Sequence, residues 1–365
     1  MSEPRQYEQR SLASLADYIN GFAFKPSHLG EAGIPVVRIE QLNNPEGRFD
    51  KATVVPPIRN HIDSGDILFS WSGTLKASRW KHGKAYLNQH LFKVIPKSGV
   101  NDEFLLQLLN YSIPELSMAA HGSTMKHIQR GELEKFLVCF PCDKGEQRRI
   151  ADLLSAVDEL IESIEAIASK KQRLFTGLRT SLLKNGQHTP ISAALRSEWK
   201  ERPLGEVATL QRGFDLPTGD RVPGNVPVIS SSGYEGTHNA PACRGPGVVT
   251  GRSGTIGRVL YVEDDYWPLN TTLYVRDFHG NNPRFVAHLL RELRLEKYAA
   301  ATSVPSLNRN FVHPILVRIP PPEEQARLAE LLDHYQNEMN CTLREREKLV
   351  DLKNGLLAAV MSKDS

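Results

Sequence analysis

The stretch from Glu146 to Lys184, EQRRIADLLSAVDELIESIEAIASKKQRLFTGLRTSLLK, contains no proline and a single glycine. Apolar residues recur along it in alternating steps of three and four, at Ile150, Leu153, Val157, Leu160, Ile164, Ile167, Leu174 and Leu178. This heptad seam, interrupted only at Lys171, predicts a coiled-coil helix rather than an ordinary surface helix. We therefore expect one long helix as the central element of the chain.

A second copy of this stretch occupies residues 320–361. FPCDKGEQRRIADLLSAVDEL from Phe140 corresponds to IPPPEEQARLAELLDHYQNEM from Ile319, so that Gln147 matches Gln325. Gly177 and Gly355 share one position of the repeat, and because glycine destabilises a helix, their agreement suggests a close approach of backbones there, either helix on helix or helix on partner, with coincidence as the alternative. The second seam is weaker, since Glu338, Thr342 and Glu345 interrupt it; its apolar members are Leu328, Leu331, Tyr335, Leu349, Leu352 and Leu356.

The similarity continues upstream of both helices. Ser72-Gly73-Thr74 matches Ser253-Gly254-Thr255, and Leu87-Asn88 matches Leu269-Asn270. Short apolar runs between turn residues predict strands at 35–39, 67–70, 248–250 and 272–275, and helices near 101–110 and 283–297. The chain is thus a tandem duplication, in which each half is an α+β domain with a strand-rich core followed by a long helix.

Composition restricts the class of protein. A chain of 365 residues with 40% hydrophobic residues can form two or three domains with substantial cores. The net charge of +3 permits binding to a polyanion without requiring it. The polar start MSEPRQYEQR, the lack of an 18-residue apolar run and the presence of four cysteines lead us to expect a cytoplasmic protein with no membrane span.

Motif inspection gives no catalytic set. Gly251 to Gly257 is glycine-rich, but Arg258-Val259 follows where a P-loop requires Lys-Ser/Thr. Cys139 and Cys142 are spaced as C-x-x-C, yet Cys243 and Cys341 do not complete a zinc site. We therefore expect no catalytic residues and no metal site.

The densest basic run lies between Leu75 and Lys84, and no acidic residue occurs from Leu68 to Pro96. Lysine and arginine supply most non-specific affinity for DNA, whereas Arg, Asn and Gln read base edges. A solvated, turn-forming loop has a similar composition and stays an alternative here and in the second half. The predicted DNA-binding residues are Lys76, Arg79, Trp80, Lys81, Lys84, Ser123, Thr124 and Lys126 in the first half, and Arg252, Ser253, Asn270, Thr271, Ser306, Asn308, Arg309 and Asn310 in the second.

Two different globular halves, each followed by a long helix that opens with Glu-Gln-x-x-(Ile/Leu)-Ala-x-Leu-Leu, resemble the DNA-specificity subunit of type I restriction-modification systems. The motif residues are Pro141 with 146–154 and then 320–332. GDILFSWSGT from Gly65 and the segment 122–128 are further points of similarity. The resemblance covers essentially the whole chain.

The resemblance implies that each half is a target-recognition domain reading one half of an asymmetric bipartite DNA site. It further implies that two long helices pack as an antiparallel coiled-coil spacer in a pseudo-twofold repeat, on which two methyltransferase subunits dock and which motor/endonuclease subunits join. S-adenosylmethionine, ATP and Mg are then expected on those partners, and the specificity subunit itself is non-catalytic. The expected boundaries are 1–144 and 187–321 for the domains, and 145–186 and 322–365 for the spacer helices.

Two alternatives to this hypothesis stay open. A self-contained DNA-modifying enzyme is disfavoured, because the sequence has no cofactor or catalytic motif. A coiled-coil scaffold that joins two protein-binding domains, without DNA recognition, fits the same repeat. Salt-dependent binding to duplex DNA distinguishes that scaffold from a specificity subunit.

Overall fold

The computed structural model describes residues 7–44, 47–119, 128, 130–183, 199–300 and 305–361. They form two compact units, the first made of residues 1–164 with 345–365 and the second of residues 165–344. Each unit contains one globular part together with a portion of each long helix. The tandem repeat predicted from sequence is confirmed, as is the mixture of helices and strands.

The first unit contains three sheets. A four-stranded antiparallel sheet has the order β2-β10-β7-β8, a five-stranded sheet has the order β3-β5-β4-β9-β6, and β1 pairs with β11. The strands are β1 (Tyr7–Ser11), β2 (Ala16–Asn20), β3 (Leu29–Gly30), β4 (Ile34–Val37), β5 (Asp50–Ala52), β6 (His61–Ile62), β7 (Ile67–Ser70), β8 (Lys76–Arg79), β9 (Ala85–Leu87), β10 (Leu91–Pro96) and β11 (Leu137–Pro141). The helices are α1 (Leu12–Leu15), α2 (Ile39–Asn43), α3 (Asp102–Ala119), α4 (Arg130–Lys135) and the long α5 (Lys144–Leu183).

The second unit repeats this plan with a smaller second sheet. The four-stranded antiparallel sheet has the order β13-β19-β16-β17, a three-stranded sheet has the order β15-β14-β18, and β12 pairs with β20. The strands are β12 (Lys200–Pro203), β13 (Thr209–Arg212), β14 (Val226–Ser230), β15 (Gly233–His238), β16 (Gly247–Gly251), β17 (Val259–Val262), β18 (Trp267–Pro268), β19 (Thr272–Asp277) and β20 (Leu316–Ile319). The helices are α6 (Leu204–Val207), α7 (Pro283–Leu293), α8 (Arg309–Val312) and the long α9 (Pro322–Met361).

The core of each unit lies between its four-stranded sheet and one helix. In the first unit, Phe104 and Leu108 of α3 are fully buried in one apolar cluster with Phe69 of β7. In the second, Phe285 and Leu290 of α7 occupy the equivalent cluster. The Asn101 side chain accepts a hydrogen bond from Phe104 N (2.9 Å), and Asn282 caps α7 in the same way, so the sequence specifies both helix starts.

A duplicated glutamine joins each globular part to its long helix. Gln147 is fully buried and accepts from Asn101 N (2.7 Å) while it donates to the Pro141 carbonyl (2.9 Å). Gln325 accepts from Asn282 N (2.9 Å) and donates to the Pro320 carbonyl (2.9 Å). The repeated Glu-Gln motif therefore has a structural reason, since its amide satisfies buried backbone groups at the junction.

Within each unit, a portion of α5 lies against a portion of α9 that runs in the opposite direction. In the first unit Lys353 Nζ contacts the Asp158 carboxylate at 2.6 Å, and in the second Lys171 Nζ donates to Thr342 Oγ1 at 3.2 Å. Within the first unit, Ala151 shares an apolar cluster with Val360 while Asp158 contacts Lys353, so the earlier α5 residue lies near the later α9 residue. The antiparallel pairing of the long helices is confirmed.

The predicted seam is wrong about which face of the helices each unit buries. The buried apolar residues are Ala151, Leu154 and Val157 of α5 with Leu357 of α9 in the first unit, and Ala168, Phe175 and Leu183 of α5 with Ala329, Leu332 and Met339 of α9 in the second. Of the predicted seam, Val157 is buried, Ile150, Ile164, Leu328 and Leu349 are half-buried, and Leu153, Leu160, Leu174, Leu331, Tyr335 and Leu352 are 39–65% exposed. The prediction weighted large apolar side chains, whereas small alanines form much of the buried row.

Two further expectations from the repeat need correction. A Cβ added at Gly177 or Gly355 would meet no described atom of another element within 4 Å, so helix-on-helix packing does not explain these glycines, and close approach by a partner stays a prediction. Phe22 bridges Asn88 where Phe214 bridges Leu269, so Asn88 corresponds to Leu269 and not to Asn270. Repeat positions in this region are therefore 181 residues apart.

Candidate nucleic-acid interface

The basic run of the first unit does not form one patch. Lys76 begins β8, and its ammonium group reaches the Leu42 carbonyl at 3.4 Å. Lys81 and Lys84 are exposed on the loop that follows the other end of this strand. The strand thus separates Lys76 from the two other lysines, which the sequence grouped together.

Arg79 and Trp80 have structural roles that the sequence did not reveal. Arg79 forms ion pairs with Glu103 (2.7 Å) and Asp102 (3.0 Å), and although burial lowers its pKa, these two carboxylates outweigh burial and raise the pKa overall. Trp80 is 3% exposed and donates to the Gly83 carbonyl (2.6 Å). Neither side chain is available to a base, which corrects the expectation. The acidic partners come from α3, outside the acid-free stretch that suggested free cations.

Three predicted residues, Ser123, Thr124 and Lys126, lie outside the residues that the structure describes. Their placement on DNA stays a prediction. Nearby, Arg130 begins α4 and its guanidinium donates to the Tyr18 carbonyl. Arg130 is a candidate that sequence reasoning missed, although it precedes Leu133 as Arg309 precedes the equivalent buried Val312.

The second unit contains a polar cleft of about 770 Å³, bounded by β13, β19, the loop after β16 and the start of α8. Its lining residues are Gln211, Arg212, Gly213, Phe214, Asp215, Arg252, Leu273, Arg276, Ser306, Leu307, Asn308 and Arg309. Four arginines and a single carboxylate make this cleft cationic. It brings together four predicted residues, Arg252, Ser306, Asn308 and Arg309, which lie up to 57 positions apart in the chain.

The arginines of this cleft, hereafter the arginine cleft, are weakly neutralised. Arg212 lies 3.7 Å from Asp215, whereas Arg276 donates to the Gln211 amide oxygen at 3.4 Å. Within the described part of the chain, no carboxylate lies within ion-pair distance of Arg252, Arg276 or Arg309. Such groups are suited to bind phosphates or base acceptors.

The positive charge of Arg309 affects the pKa of the neighbouring His313. Burial first, and then the positive charge of Arg309, lower the pKa of His313. The neutral ring accepts a hydrogen bond from Leu210 N at its Nε2 atom (2.9 Å). This contact attaches α8 to β13, so that both sides of the arginine cleft are held in place.

The other predicted residues surround the arginine cleft. Asn270 donates to the Asp215 carboxylate, Thr271 Oγ1 accepts from Ser231 N (3.3 Å), and Ser253 pairs with Ser306 in an isolated bridge. Asn308 caps α8 by accepting from Asn310 N (3.0 Å), and both are exposed.

Sequence reasoning missed Gln211, Arg212 and Arg276. They come from adjacent strands, and only the pairing of β13 with β19 places them together. No local run of charge in the sequence could have identified them.

Among the residues with described positions, no group of three His, Cys, Asp or Glu side chains could hold a metal ion. None of the helices described is both long enough and apolar enough to span a membrane.

Comparison with known proteins identifies the family. The model of the type I restriction modification DNA specificity domain matches residues 4–171 and 196–350. The specificity subunit of the type I restriction enzyme EcoBI from Escherichia coli is 24% identical over 177 residues, which are 47% of this chain and 37% of that protein. The EcoprrI specificity subunit, also from Escherichia coli, is 21% identical over 290 residues, 75% of this chain and 72% of that protein. The match thus spans little more than a third of the EcoBI subunit.

Solved structures agree in fold. The S subunit of a type I restriction-modification system from M. genitalium superimposes with a TM-score of 0.67 at 16% identity, covering 98% of this chain and 97% of that one. A chain from a structure on complex assembly and conformational transition of the type I system gives a TM-score of 0.57 at 15% identity, with full coverage of both chains. Both curated relatives are named specificity subunits of type I restriction enzymes. With two specificity domains matched over most of its length, the chain belongs to the type I restriction-modification DNA specificity family.

Proposed function

We propose that this chain reads an asymmetric bipartite DNA site as the specificity subunit of a type I complex, each globular part reading one half-site. The observation that carries the proposal is the arginine cleft of the second unit. Arg252, Arg276 and Arg309 have no acidic partner among the described residues, and hydrogen-bonding side chains stand beside them. Unpaired guanidinium groups bind phosphates and guanine edges, and amides bind adenine, so the cleft has the chemistry of a DNA reader.

The proposed division of the chain follows the repeat. Residues 1–144 and 187–321 are the two target-recognition domains, and residues 145–186 and 322–365 are the spacer helices. In the first domain the proposed contacts are Lys76, Lys81, Lys84, Ser123, Thr124 and Lys126, with Arg130 added. In the second they are Arg252, Ser253, Asn270, Thr271, Ser306, Asn308, Arg309 and Asn310, with Arg212 and Arg276 added.

The exposed leucines of the long helices support docking of two methyltransferase subunits. Leu153 is 52% exposed and its repeat counterpart Leu331 is 39% exposed; Leu174 and Leu352 form a second such pair, at 65% and 51%. Large apolar residues retained on the surface of both copies indicate contact with a partner. Because the same positions occur twice, the partner binds twice. Motor/endonuclease subunits then join this complex, which acts on DNA in the cytoplasm.

Domain exchange tests this function. Residues 199–319 are replaced by the second domain of another family member, and the chain is expressed with its methyltransferase subunit. Sequencing of methylated bases is expected to show a new second half-site and an unchanged first one. A change in both half-sites would contradict the modular account. If the unmodified chain shows no salt-dependent affinity for duplex DNA, the scaffold alternative is favoured instead.

A further inference from the structure

One loop position, Trp71 in the first unit and Arg252 in the second, makes the same backbone contact in both units but carries a different side chain. The Arg252 carbonyl accepts from Leu307 N (2.8 Å), and the Trp71 carbonyl accepts from Ile128 N (2.9 Å). Arg252 and Trp71 are 181 positions apart, as the repeat requires in this region. One backbone hydrogen bond of this loop is therefore the same in both copies.

The side chains at this position are also held alike. Arg252 Nη1 donates to the carbonyl of Asn270 at 3.4 Å, and Trp71 Nε1 donates to the carbonyl of Gln89 at 3.2 Å. Gln89 and Asn270 are themselves repeat counterparts, since both follow the bridge partners Asn88 and Leu269. A position that contacts a base needs a fixed backbone and a side chain that can differ between domains, and positions 71 and 252 have both.

In the second unit the head group is a guanidinium. Arg252 is half-buried, and its backbone N–H donates to the Thr271 carbonyl (2.8 Å), so it is fixed within the arginine cleft. Among the described residues, the Asn270 carbonyl occupies one of its five N–H groups, which leaves the others for a ligand. Arg212 and Arg309, in contrast, are exposed at the edge of the cleft, as phosphate-binding side chains are.

We infer that Arg252 is the guanine-reading residue of the second unit, and that position 71 is its counterpart in the first unit. This inference rests on the proposed function. In the major groove guanine alone offers two adjacent acceptors, N7 and O6, which a guanidinium binds with two parallel hydrogen bonds. Adenine presents an N6 donor and cytosine an N4 donor, and a guanidinium, which can only donate, forms no hydrogen bond with either. Trp71 has one indole N–H, already donated, and reads no guanine there.

Sequencing of methylated bases in DNA from cells that express the complete methyltransferase complex tests this inference. With Arg252→Gln, discrimination at one guanine of one half-site is expected to fall about 10- to 100-fold, while the other half-site stays unchanged. Arg252→Lys keeps the charge but lacks the fork, and is expected to lose part of the discrimination even if the glutamine variant folds poorly. Arg309→Gln is the matched control, with reduced methylation and an unchanged motif.

The outcomes separate the inference from the proposed function. If Arg252→Gln and Arg252→Lys leave the motif unchanged while overall affinity falls, Arg252 contacts a phosphate and the inference is wrong, although the chain still reads DNA. If the unmodified complex methylates no bipartite motif, the proposed function itself is wrong. A motif that loses one guanine only in the position 252 variants supports both.

Discussion

The two units share their junctions and differ in their reading surfaces. Gln147 and Gln325 make the same pair of contacts, to the start of α3 or α7 and to the proline that ends β11 or precedes α9. Three arginines of the arginine cleft, at positions 212, 252 and 276, correspond to Asn20, Trp71 and Ile95 in the first unit. The duplicated fold thus keeps the contacts that position each domain on the helices and varies the side chains offered to a ligand.

A second contact between each globular part and a long helix is kept in both units, but with different side chains. Gln107 of α3 donates to Asp158 (2.8 Å), and at the same helix position His288 of α7 contacts Asp333 (2.8 Å). Both side chains are buried and both meet an aspartate of a long helix. The second unit adds an ion pair between Arg179 and Glu292 at 2.9 Å. The attachment is therefore retained while its chemistry changes.

Removal of the shared glutamine is the largest expected effect. Gln325→Leu leaves the Asn282 N–H and the Pro320 carbonyl without partners in a buried junction, and each such group costs about 1–3 kcal/mol. We expect the free energy of unfolding of the second unit to fall by about 2–4 kcal/mol. Urea denaturation followed by tryptophan fluorescence measures it, with Gln147→Leu as the matched change in the first unit.

Gln172→Leu is the control for this experiment, because Gln172 is exposed on α5 and its side chain donates to Thr176 Oγ1 of the same helix. Its unfolding free energy is expected to change by less than about 0.5 kcal/mol. Equal effects of Gln172→Leu and Gln325→Leu would show that the shared junction does not stabilise the units.

Neutralising charges should reveal an unequal contribution of the units to DNA affinity. The triple change Arg212→Gln, Arg276→Gln, Arg309→Gln is expected to lower the slope of log K against log salt by about 2–3, because each phosphate contact contributes about 0.9. Fluorescence anisotropy with duplex DNA, at salt concentrations from about 50 to 200 mM, measures it.

The matching triple change in the first unit is Lys76→Gln, Lys81→Gln, Lys84→Gln. Because β8 separates Lys76 from the two other lysines, we expect a smaller reduction, of about 1–2. Lys348→Gln, an exposed position on α9, controls for net charge and is expected to leave the slope unchanged. Equal slopes for the two triple variants would remove the proposed asymmetry.

His288 gives the second unit a dependence on pH that the first unit lacks at this position. Burial lowers the pKa of His288, with smaller opposing contributions from Asp333 and additional lowering by Arg291 and Arg179. The unfolded chain therefore binds a proton more readily than the folded one, and stability falls as pH decreases below about 6.5. His288→Gln installs the residue of the first unit and is expected to flatten this fall.

Urea unfolding at about pH 5.5 and about pH 7.5, on either side of the ordinary histidine pKa, measures this difference. The contrast between the unmodified protein and His288→Gln isolates His288 from other histidines, such as His313, whose pKa is also lowered. An unmodified protein that is equally stable at both values, or a variant that keeps the whole dependence, would contradict the assignment.

The repeat explains how much of the fold the sequence could predict. Gln147 and Gln325 form a duplicated pair in the sequence, and this pair marks both junctions and the starts of both long helices. The buried helix face could not be predicted in the same way, because Ala151 and Ala329 are as buried as any leucine yet carry little hydrophobic signal. A prediction based on large apolar side chains therefore selected leucines that are exposed.

The candidate site was predictable only where its residues are local. Arg309 lies in a polar run that predicted DNA contacts, with a turn-forming loop as the alternative, and the structure places it on the arginine cleft. Arg276 and Arg79 depend on partners distant in sequence: β13 brings Arg276 to the cleft, and α3 neutralises Arg79. Tertiary pairing, which composition does not encode, decides which cations stay free.

The smallest effect concerns the paired glycines of the long helices. Gly177→Ala and Gly355→Ala place a methyl group where no described atom lies within 4 Å, and alanine favours a helix by about 1 kcal/mol over glycine. We expect each change to stabilise its unit by about 0.5–1 kcal/mol in urea denaturation. Gly213→Ala and Gly21→Ala are matched controls that destabilise, because their Cβ atoms would lie 2.3 Å and 2.1 Å from backbone oxygens.

The same variants show why the repeat retains glycine at these positions. If a methyltransferase subunit packs its backbone closely there, Gly177→Ala and Gly355→Ala weaken its binding while they stabilise the free chain. Titration with that subunit measures the binding constants of the two variants. Stabilised chains that bind the subunit with unchanged affinity would show that the helices use glycine for neither packing nor docking. The docking surface would then consist of the exposed leucines alone.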